Sequence, residues 1–396
     1  MRVLLSTIGS RGDVQPLVAL AVRLRELGQE VRLVAPPDFR EWIEGLGFEV
    51  TPVGPELREL TAGRNAERPT PERIRQLVAD SVADQFSAAT KAADGCDLIV
   101  AASALQVAAR TVAELHDVPY VFAAYSANVV PSPHHAPPSV PLPDGPEGIG
   151  ELWTRDTERF DATFGASLNE HRAAAGLPPV SGVRDHILTG RPWLAADPVL
   201  APWPEHGRPL FQPGAWILPD DRPLSTELEE FLAAGAPPVY FGFGSIRAPE
   251  GLSAAMIDAA RALCRRAIVS RGWADLSLVD DAADCLAIDE VNQQALFKRV
   301  AAVVHHGGAG TTTTAALSGA PQVIVPQLYD QYYWARRISD LGIGSAHAPG
   351  APSAESLAAA LEAALEPSVA DRARSVAATM RTDGTSVAAE RLLALG

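Results

Sequence analysis

The residues best placed to do chemistry are His305-His306-Gly307-Gly308-Ala309-Gly310-Thr311-Thr312, directly after the apolar run Val300-Ala301-Ala302-Val303-Val304. Glycine after a buried strand lets the backbone bend sharply and approach a ligand closely. The helix expected next presents unpaired N–H groups and the positive end of its dipole, which together suit an anion. His306 and the hydroxyls of Thr311 and Thr312 add donors, so the stretch reads as a phosphate or diphosphate site. The competing reading is an ordinary strand-to-helix turn whose glycines serve packing alone.

Further turns in the same half tip the balance. Gly242-Phe243-Gly244-Ser245, Arg271-Gly272-Trp273, Asp289-Glu290-Val291-Asn292-Gln293 and Pro326-Gln327-Leu328-Tyr329-Asp330-Gln331 each follow a strand-like run. Ligand-capable groups at consecutive strand ends fall on one rim of a parallel sheet. Ser245 and the amides of Gly308, Ala309, Gly310 and Thr311 are expected to cradle a diphosphate, with His306 adding a hydrogen bond or positive charge. Arg271 joins this rim, and Trp273 and the Val291 backbone suit a planar base. Asp330 and Gln331 pair a carboxylate with an amide, as sugar hydroxyls require. Taken singly, Trp273 also reads as core packing and Asp330 as a helix N-cap.

Near the N-terminus, a strand over Arg2–Thr7 runs into Ile8-Gly9-Ser10-Arg11-Gly12-Asp13-Val14-Gln15-Pro16. Asp13 upstream of a Pro16 placed in the first helical turn makes a good helix start. Asp13 is thus either an N-cap or a general base at a cleft mouth. The turn lacks the third glycine of GxGxxG, and no acidic residue ends the next strand, which disfavours a dinucleotide site. No metal is expected. His134-His135 lie on a Pro-rich loop without a nearby carboxylate and are expected to be solvent-exposed. Asp220-Asp221 and Asp280-Asp281 fall in loop-like contexts.

The elements that must position these groups alternate in type. Strand patterns at Arg2–Thr7, Glu30–Val34, Phe48–Val53, Leu98–Ala101 and Tyr120–Ala124 are separated by helical stretches, including Glu72–Ala93 and Gln106–Leu115. A second series runs through Val239–Phe243, Ala267–Ser270, Cys285–Ile288, Val300–Val304 and Pro321–Val325. Short strands between helices predict parallel βαβ units and an α/β fold of two tandem doubly wound sheets facing a cleft. The tail from Ser353 reads as helices only. Prolines crowd 198–223, too dense for helix or sheet. The expected organisation is a first α/β domain over 1–200, a linker over 201–222, a second α/β domain over 223–375 that carries the candidate diphosphate rim, and a C-terminal helix over 376–396. The irregular stretch Asn128–Gly150 reads as a binding loop.

Composition bounds the class. The chain has 396 residues, 47% hydrophobic and 20% charged, which suits two packed domains. Its formal charge of −15 argues against nucleic acid and anionic membranes as partners. Three scattered cysteines give neither a disulfide framework nor metal spacing. Met1 leads directly into a strand pattern, so no signal peptide is expected and the cytoplasm is the expected location.

Together these residues resemble the two-domain GT-B glycosyltransferases of bacterial natural-product pathways. Gly9-Ser10-Arg11-Gly12-Asp13-Val14-Gln15-Pro16 is similar to the N-terminal signature of that subgroup. His306-Gly307-Gly308-Ala309-Gly310-Thr311, with Pro326 and Asp330-Gln331, is similar to its nucleotide-sugar motif. The whole chain resembles in particular the glycopeptide-antibiotic enzymes of the vancomycin and chloroeremomycin type. The resemblance implies inverting, metal-independent transfer from a dTDP- or UDP-sugar to a hydroxyl of a large hydrophobic aglycone, without cofactor. It implies Asp13 as base, Ser10, Arg11 and Gly12 beside the reacting sugar and phosphates, and a final helix around Val387–Leu395 bracing the first domain. Many relatives outside the subgroup carry a histidine base near this position; here the first histidine is His116, which leaves the task to Asp13 or to another residue. Tyr329 and Tyr332-Tyr333-Trp334 crowd Asp330-Gln331, which leaves the donor sugar open. Alternatives are a macrolide or aromatic polyketide acceptor, a sugar-nucleotide epimerase, and a non-catalytic activator of another glycosyltransferase.

Overall fold

Val3, Leu4 and Leu5 are all fully buried, so the first strand must be covered on both faces, as a parallel sheet between helices requires. The computed structural model describes residues 1–58, 70–138, 148–204, 208–244, 251–273, 276, 278, 280, 282–348 and 351–395. The first half contains β1 (Arg2–Thr7), α1 (Arg11–Glu26), β2 (Glu30–Ala35), α2 (Arg40–Gly45), β3 (Glu49–Pro52), α3 (Pro71–Ala93), β4 (Leu98–Ala102), α4 (Ala109–Leu115), β5 (Tyr120–Ala124), α5 (Ile149–Ala174), α6 (Val183–Leu188) and β6 (Trp193–Leu194). The second contains α7 (Thr226–Ala233), β7 (Val239–Gly242), α8 (Leu252–Ala262), β8 (Ala267–Ser270), β9 (Cys285–Ile288), α9 (Gln293–Leu296), β10 (Ala302–His305), α10 (Ala309–Leu317), β11 (Gln322–Ile324), α11 (Gln331–Asp340) and β12 (Gly344–Ala346). Three helices close the chain: α12 (Ala354–Ala364), α13 (Pro367–Ala377) and α14 (Gly384–Leu393).

The two six-stranded sheets share one topology. Their orders are β3-β2-β1-β4-β5-β6 and β12-β11-β10-β7-β8-β9, with parallel pairing throughout. In each, the chain starts mid-sheet, winds out one way, then returns to the other side of its first strand. The reversal opens a crevice beyond the carboxyl ends of β1 and β4, and another beyond those of β7 and β10. Those ends carry the Gly9–Asp13 turn and the Gly242–Gly244 and His305–Gly310 turns.

The last helix belongs to the first half's core. Ala388, Ala389 and Leu392 are fully buried in one cluster with Leu17, Leu20 and Leu24 of α1. Gly384 lies so close to the linker backbone that a Cβ there would sit 2.6 Å from the Gly214 carbonyl carbon. Two further ties cross between the halves: Arg381 N–H donates to Asp197 Oδ2 at 2.8 Å, and Arg337 Nε donates to the Leu200 carbonyl at 2.8 Å.

Several boundaries differ from the sequence reading for local reasons. α1 begins at Arg11, so Pro16 stands inside the helix rather than in its first turn. The capping residues at Ser10 and Asp13 start the helix early, and the proline, lacking an N–H, leaves the Gly12 carbonyl without its intrahelical donor. Likewise α10 begins at Ala309, inside the Gly-rich stretch itself. The strands β6 and β12 are two and three residues long, too short for a periodic signal. Residues 198–223 carry neither helix nor strand among the described residues. Part of the Asn128–Gly150 loop, 139–147, lies outside the described residues.

Leu392→Ala is expected to cost about 2–5 kcal/mol by opening a cavity between α14 and α1. Denaturant unfolding checks this; unchanged stability would remove α14 from the core.

Candidate active site

Ser10 caps α1, and its hydroxyl accepts the Gly12 N–H at 3.3 Å. Asp13 answers from the third helical position: its Oδ2 accepts the Ser10 N–H at 2.9 Å and the Ser10 hydroxyl at 3.3 Å. Asp13 is therefore not the N-cap, as its competing reading had it, but the return arm of a capping box. Gly9 has φ +113°, and a side chain there would collide with the Asp13 carboxylate. At the other end of the residue, the Tyr125 hydroxyl donates to the Asp13 carbonyl at 3.2 Å. Burial raises the Asp13 carboxyl to about 7; the Ser10 N–H pulls down and Asp330 across the gap pushes up. Such a carboxylate is basic enough to take a proton near neutral pH.

Arg11 is already engaged. Its guanidinium pairs with Glu290 of the second half at 3.1 Å, with Gln15 at 2.9 Å, and lies 3.8 Å over the Trp42 ring. Glu290 also meets Arg222 at 3.3 Å, so Arg11 bridges the two halves. Gly12 is exposed at the helix start.

On the second rim, β10 ends in His305, which is fully buried. Its Nδ1 accepts the Gly307 N–H at 3.1 Å, so Nε2 carries the proton and donates to Gln322 Oε1 at 2.9 Å. This histidine shapes the turn and was not expected to have a separate role. Gly307 has φ +95°; a Cβ there would sit 2.6 Å from Ile324 Cγ2 and 3.3 Å from the Gln331 carbonyl. The turns after β10 and β11 are thus in contact. The His306 imidazole lies between two glycines. A Cβ at Gly308 would sit 2.6 Å from Nε2, and one at Gly244 would sit 3.0 Å from Cε1. Nδ1 is buried without a hydrogen-bond partner.

Burial lowers His306 to about 4, so at neutral pH it is a neutral hydrogen-bonding group rather than the positive charge allowed by the sequence reading. Nε2 faces the start of α10, whose N-cap Gly308 brings no side-chain cap to the amides of Ala309, Gly310 and Thr311. Thr311 is half-buried, whereas Thr312 is fully buried and donates its hydroxyl to the Gly308 carbonyl at 2.9 Å. Thr312 is thereby removed from the donor set.

The neighbouring turns converge on the same place. Gly272, at φ +54°, packs on the Gly244 carbonyl, which also accepts the Trp273 N–H at 3.1 Å. The Trp273 indole stacks on Phe39 of the first half, centroids 5.9 Å apart and planes 15° apart. Arg271 pairs with Asp289 at 3.1 Å on the surface, and Val291 packs against the β8–β9 side of the core. Ser245 lies outside the described residues. Asp330 Oδ2 accepts the Trp334 indole N–H at 2.9 Å without capping its own helix, and burial raises this carboxyl to about 6. Gln331 is buried, and its Oε1 accepts the N–H groups of Gln327 at 2.8 Å and Leu328 at 3.1 Å. Only its NH2 end is left to serve a ligand.

One feature of the site escaped the sequence reading. An apolar groove of about 230 Å³ opens beside Gly9, lined by Ile8, Ile74, Leu77, Val78, Ser81, Leu105 and Phe164. Ile74, Leu77 and Leu105 are 47%, 45% and 45% exposed, unusual for large apolar residues so close together. The signal was available: positions 74, 77, 78 and 81 form a helical stripe that extends beyond the buried face of α3. His135, expected on the surface, is buried instead. Its ring lies edge-on to Tyr333 of the second half at 5.9 Å, and its carbonyl accepts the Trp153 indole N–H at 2.9 Å. No described helix is long and apolar enough to cross a membrane, and no group of three or more His, Cys, Asp or Glu among the described residues could hold a metal ion.

Comparison with known proteins fits this geometry. Residues 3–132 match the glycosyltransferase family 28 N-terminal domain, and residues 250–391 match the erythromycin biosynthesis protein CIII-like C-terminal domain. From Amycolatopsis orientalis, glycosyltransferase GtfE is 52% identical over 100% of this chain and 97% of its own. The vancomycin aglycone glucosyltransferase of the same organism is 50% identical over 99% and 97%. Its dTDP-epi-vancosaminyltransferase is 45% identical over 95% and 93%. Among solved structures, the kitacinnamycin glycotransferase superposes with a TM-score of 0.75 at 20% identity, covering 100% of this chain and 98% of its own. The calicheamicin glycosyltransferase CalG4 gives 0.71 at 19%, over 100% and 98%. Both share the two-sheet fold.

Burial of Asp13 has a consequence for stability. Between about pH 4 and 7 the native chain keeps a proton that the unfolded chain has lost, so stability falls as pH rises through that window. Asp13→Asn is expected to be more stable than the parent by about 1–3 kcal/mol at pH 8 and equal to it below pH 4. Thermal unfolding across pH checks this; no gain at pH 8 would mean that burial does not set this group.

Proposed function

The chain belongs to the antibiotic glycosyltransferases of the vancomycin type, and from that premise we propose that it moves a hexose from a dTDP-sugar to a hydroxyl of a glycopeptide aglycone, inverting the anomeric centre without a metal. One observation carries the reading. The raised carboxylate of Asp13 faces the Asp330 rim across the cleft, with an uncapped helix and a neutral imidazole on the same rim.

The diphosphate is assigned to the amides of Ala309, Gly310 and Thr311, with His306 Nε2 as a further donor. The base is assigned to the side of Trp273 and Val291, and the sugar hydroxyls to Asp330 and the Gln331 NH2 group. Ser245 and Arg271 are assigned to the phosphate side of the rim. Ser10, Arg11 and Gly12 border the transferred sugar. The aglycone lies over the groove of Ile74, Leu77 and Leu105, which opens next to Gly9 and so brings an acceptor hydroxyl towards Asp13.

Asp13 takes the proton of that hydroxyl, and the oxygen attacks the anomeric carbon from the face opposite the diphosphate. The bond from that carbon to the leaving oxygen breaks with its electron pair, and one configuration is inverted. Negative charge grows on the diphosphate as this happens. In this reading the α10 amides and the His306 N–H neutralise it, groups already oriented before reaction begins. The −15 net charge of the chain makes that local donor set the more necessary.

Asp13→Ala is expected to lower kcat by about 10²–10⁴-fold while changing dTDP affinity less than about twofold. For the parent, kcat/KM is expected to rise with pH and level off above about 7, as Asp13 loses its proton. His306→Ala is expected to weaken dTDP binding about tenfold by calorimetry, the loss of one hydrogen bond to a charged group. Transfer is expected to persist in a chelator. Full turnover by Asp13→Ala, or unchanged dTDP affinity in His306→Ala, would overturn these assignments.

A further inference from the structure

Tyr329 stands where the rim after β11 turns into α11, and its backbone is left-handed, φ +57°. A bulky side chain in that region is strained, and such strain persists only where the surroundings over-determine it. Here they do. Gln331 Oε1 holds the two preceding amides, of Gln327 and Leu328, and the Tyr332 hydroxyl donates to the Gln327 carbonyl at 3.1 Å. Leu328, next to it, is half exposed, whereas Tyr329 packs on an apolar cluster built from both halves of the chain, including Phe122 and Val130 of the first and Ile324, Tyr333 and Trp334 of the second.

The charged groups around the phenol are Asp330 and, from the first half, Arg184, Asp13 and Asp156. Arg184 and Asp156 form a buried ion pair with each other, so their charges are spent. Burial keeps the phenol neutral, and among the described residues its hydroxyl has no hydrogen-bond partner. A neutral O–H, able both to donate and to accept, thus lies within electrostatic reach of the carboxylate assigned to the sugar and of the one assigned to the acceptor.

We infer that Tyr329 is the specificity-determining residue for the transferred sugar, pairing with one sugar hydroxyl and excluding bulkier substituents from that position. The assignment rests on the cleft being a nucleotide-sugar site. A sugar held by Asp330 and the Gln331 NH2 group has its face towards the first half against this phenol. A hydroxyl there gains a hydrogen bond, whereas its deoxy counterpart leaves the phenol unpaired and an added methyl meets the ring. Sites built to pair with a hydroxyl reject the analogue lacking it far better than apolar pockets reject a methyl group.

The test is kcat/KM for a series of dTDP-hexoses each lacking one hydroxyl, measured with the parent, Tyr329→Phe and Tyr329→Gly. Glycine accepts the left-handed backbone without strain, which keeps the second variant folded. For the parent, one deoxy sugar is expected to be disfavoured by at least tenfold relative to the others. Tyr329→Phe is expected to erase that single preference, and Tyr329→Gly to admit donors methylated at the same position. Both variants are expected to bind dTDP, which has no sugar, as the parent does. A uniform change across the series, or none, overturns the role of Tyr329 while transfer itself continues. Failure of the parent to bind dTDP or to use any donor overturns instead the reading of the cleft, and this assignment with it.

Discussion

Everything at this site depends on keeping a carboxylate out of water without letting it move. A desolvated Asp13 is a stronger base than one in solvent, but desolvation also drives the group to reprotonate or to swing outward. The Ser10 amide and hydroxyl hold one oxygen of the carboxylate, and the Tyr125 hydroxyl holds the carbonyl of the same residue. Gly9 supplies the space that a side chain would deny. The capping box is usually a device for starting helices; in the proposed mechanism the same hydrogen bonds also aim a base. Both Ser10 bonds fall on the same carboxylate oxygen, Oδ2.

The duplicated topology explains why the two chemistries meet. Each half reverses its winding beside its first strand, and each reversal leaves a crevice at the carboxyl ends. One crevice holds the carboxylate and the other the helix amides with His306. The halves are then fixed against each other by contacts far apart in sequence. These are Arg11 with Glu290, Phe39 on Trp273, His135 on Tyr333, and α14 packed into the first half. The Arg11–Glu290 pair is exposed and contributes little by itself. Buried apolar contact does more: Ala388, Ala389 and Leu392 join the core of the first half, and Trp334 and Ile338 share a buried cluster with Phe122 and Val130.

The glycines of the second rim serve close approach rather than flexibility. Gly308 and Gly244 flank the His306 ring, Gly272 rests on the Gly244 carbonyl, and Gly307 touches the backbone of Gln331. Four turns are in this way locked into one surface. His305, sealed beneath them with its tautomer set by Gly307 and Gln322, is the peg on which the His306 turn hangs.

The alternation of strands and helices, the two tandem sheets, and the rim on which the polar turns fall are all legible in the order of residue types along the chain. Buried parallel strands read as apolar runs, and glycines mark the turns wherever they lie. The motif at His306 and the carboxylate at Asp13 were legible for the same reason, since both are local arrangements of residue types. What each group is free to do was set by the folded chain. It committed Thr312, one end of Gln331 and the guanidinium of Arg11 to partners, and made His306 neutral by burial. It also exposed the stripe of Ile74 and Leu77 beside the end of β1 and brought Tyr329 within electrostatic reach of Asp13 and Asp330. Charge state, exposure and the choice of partner depend on neighbours tens to hundreds of residues away, and no local pattern carries that information.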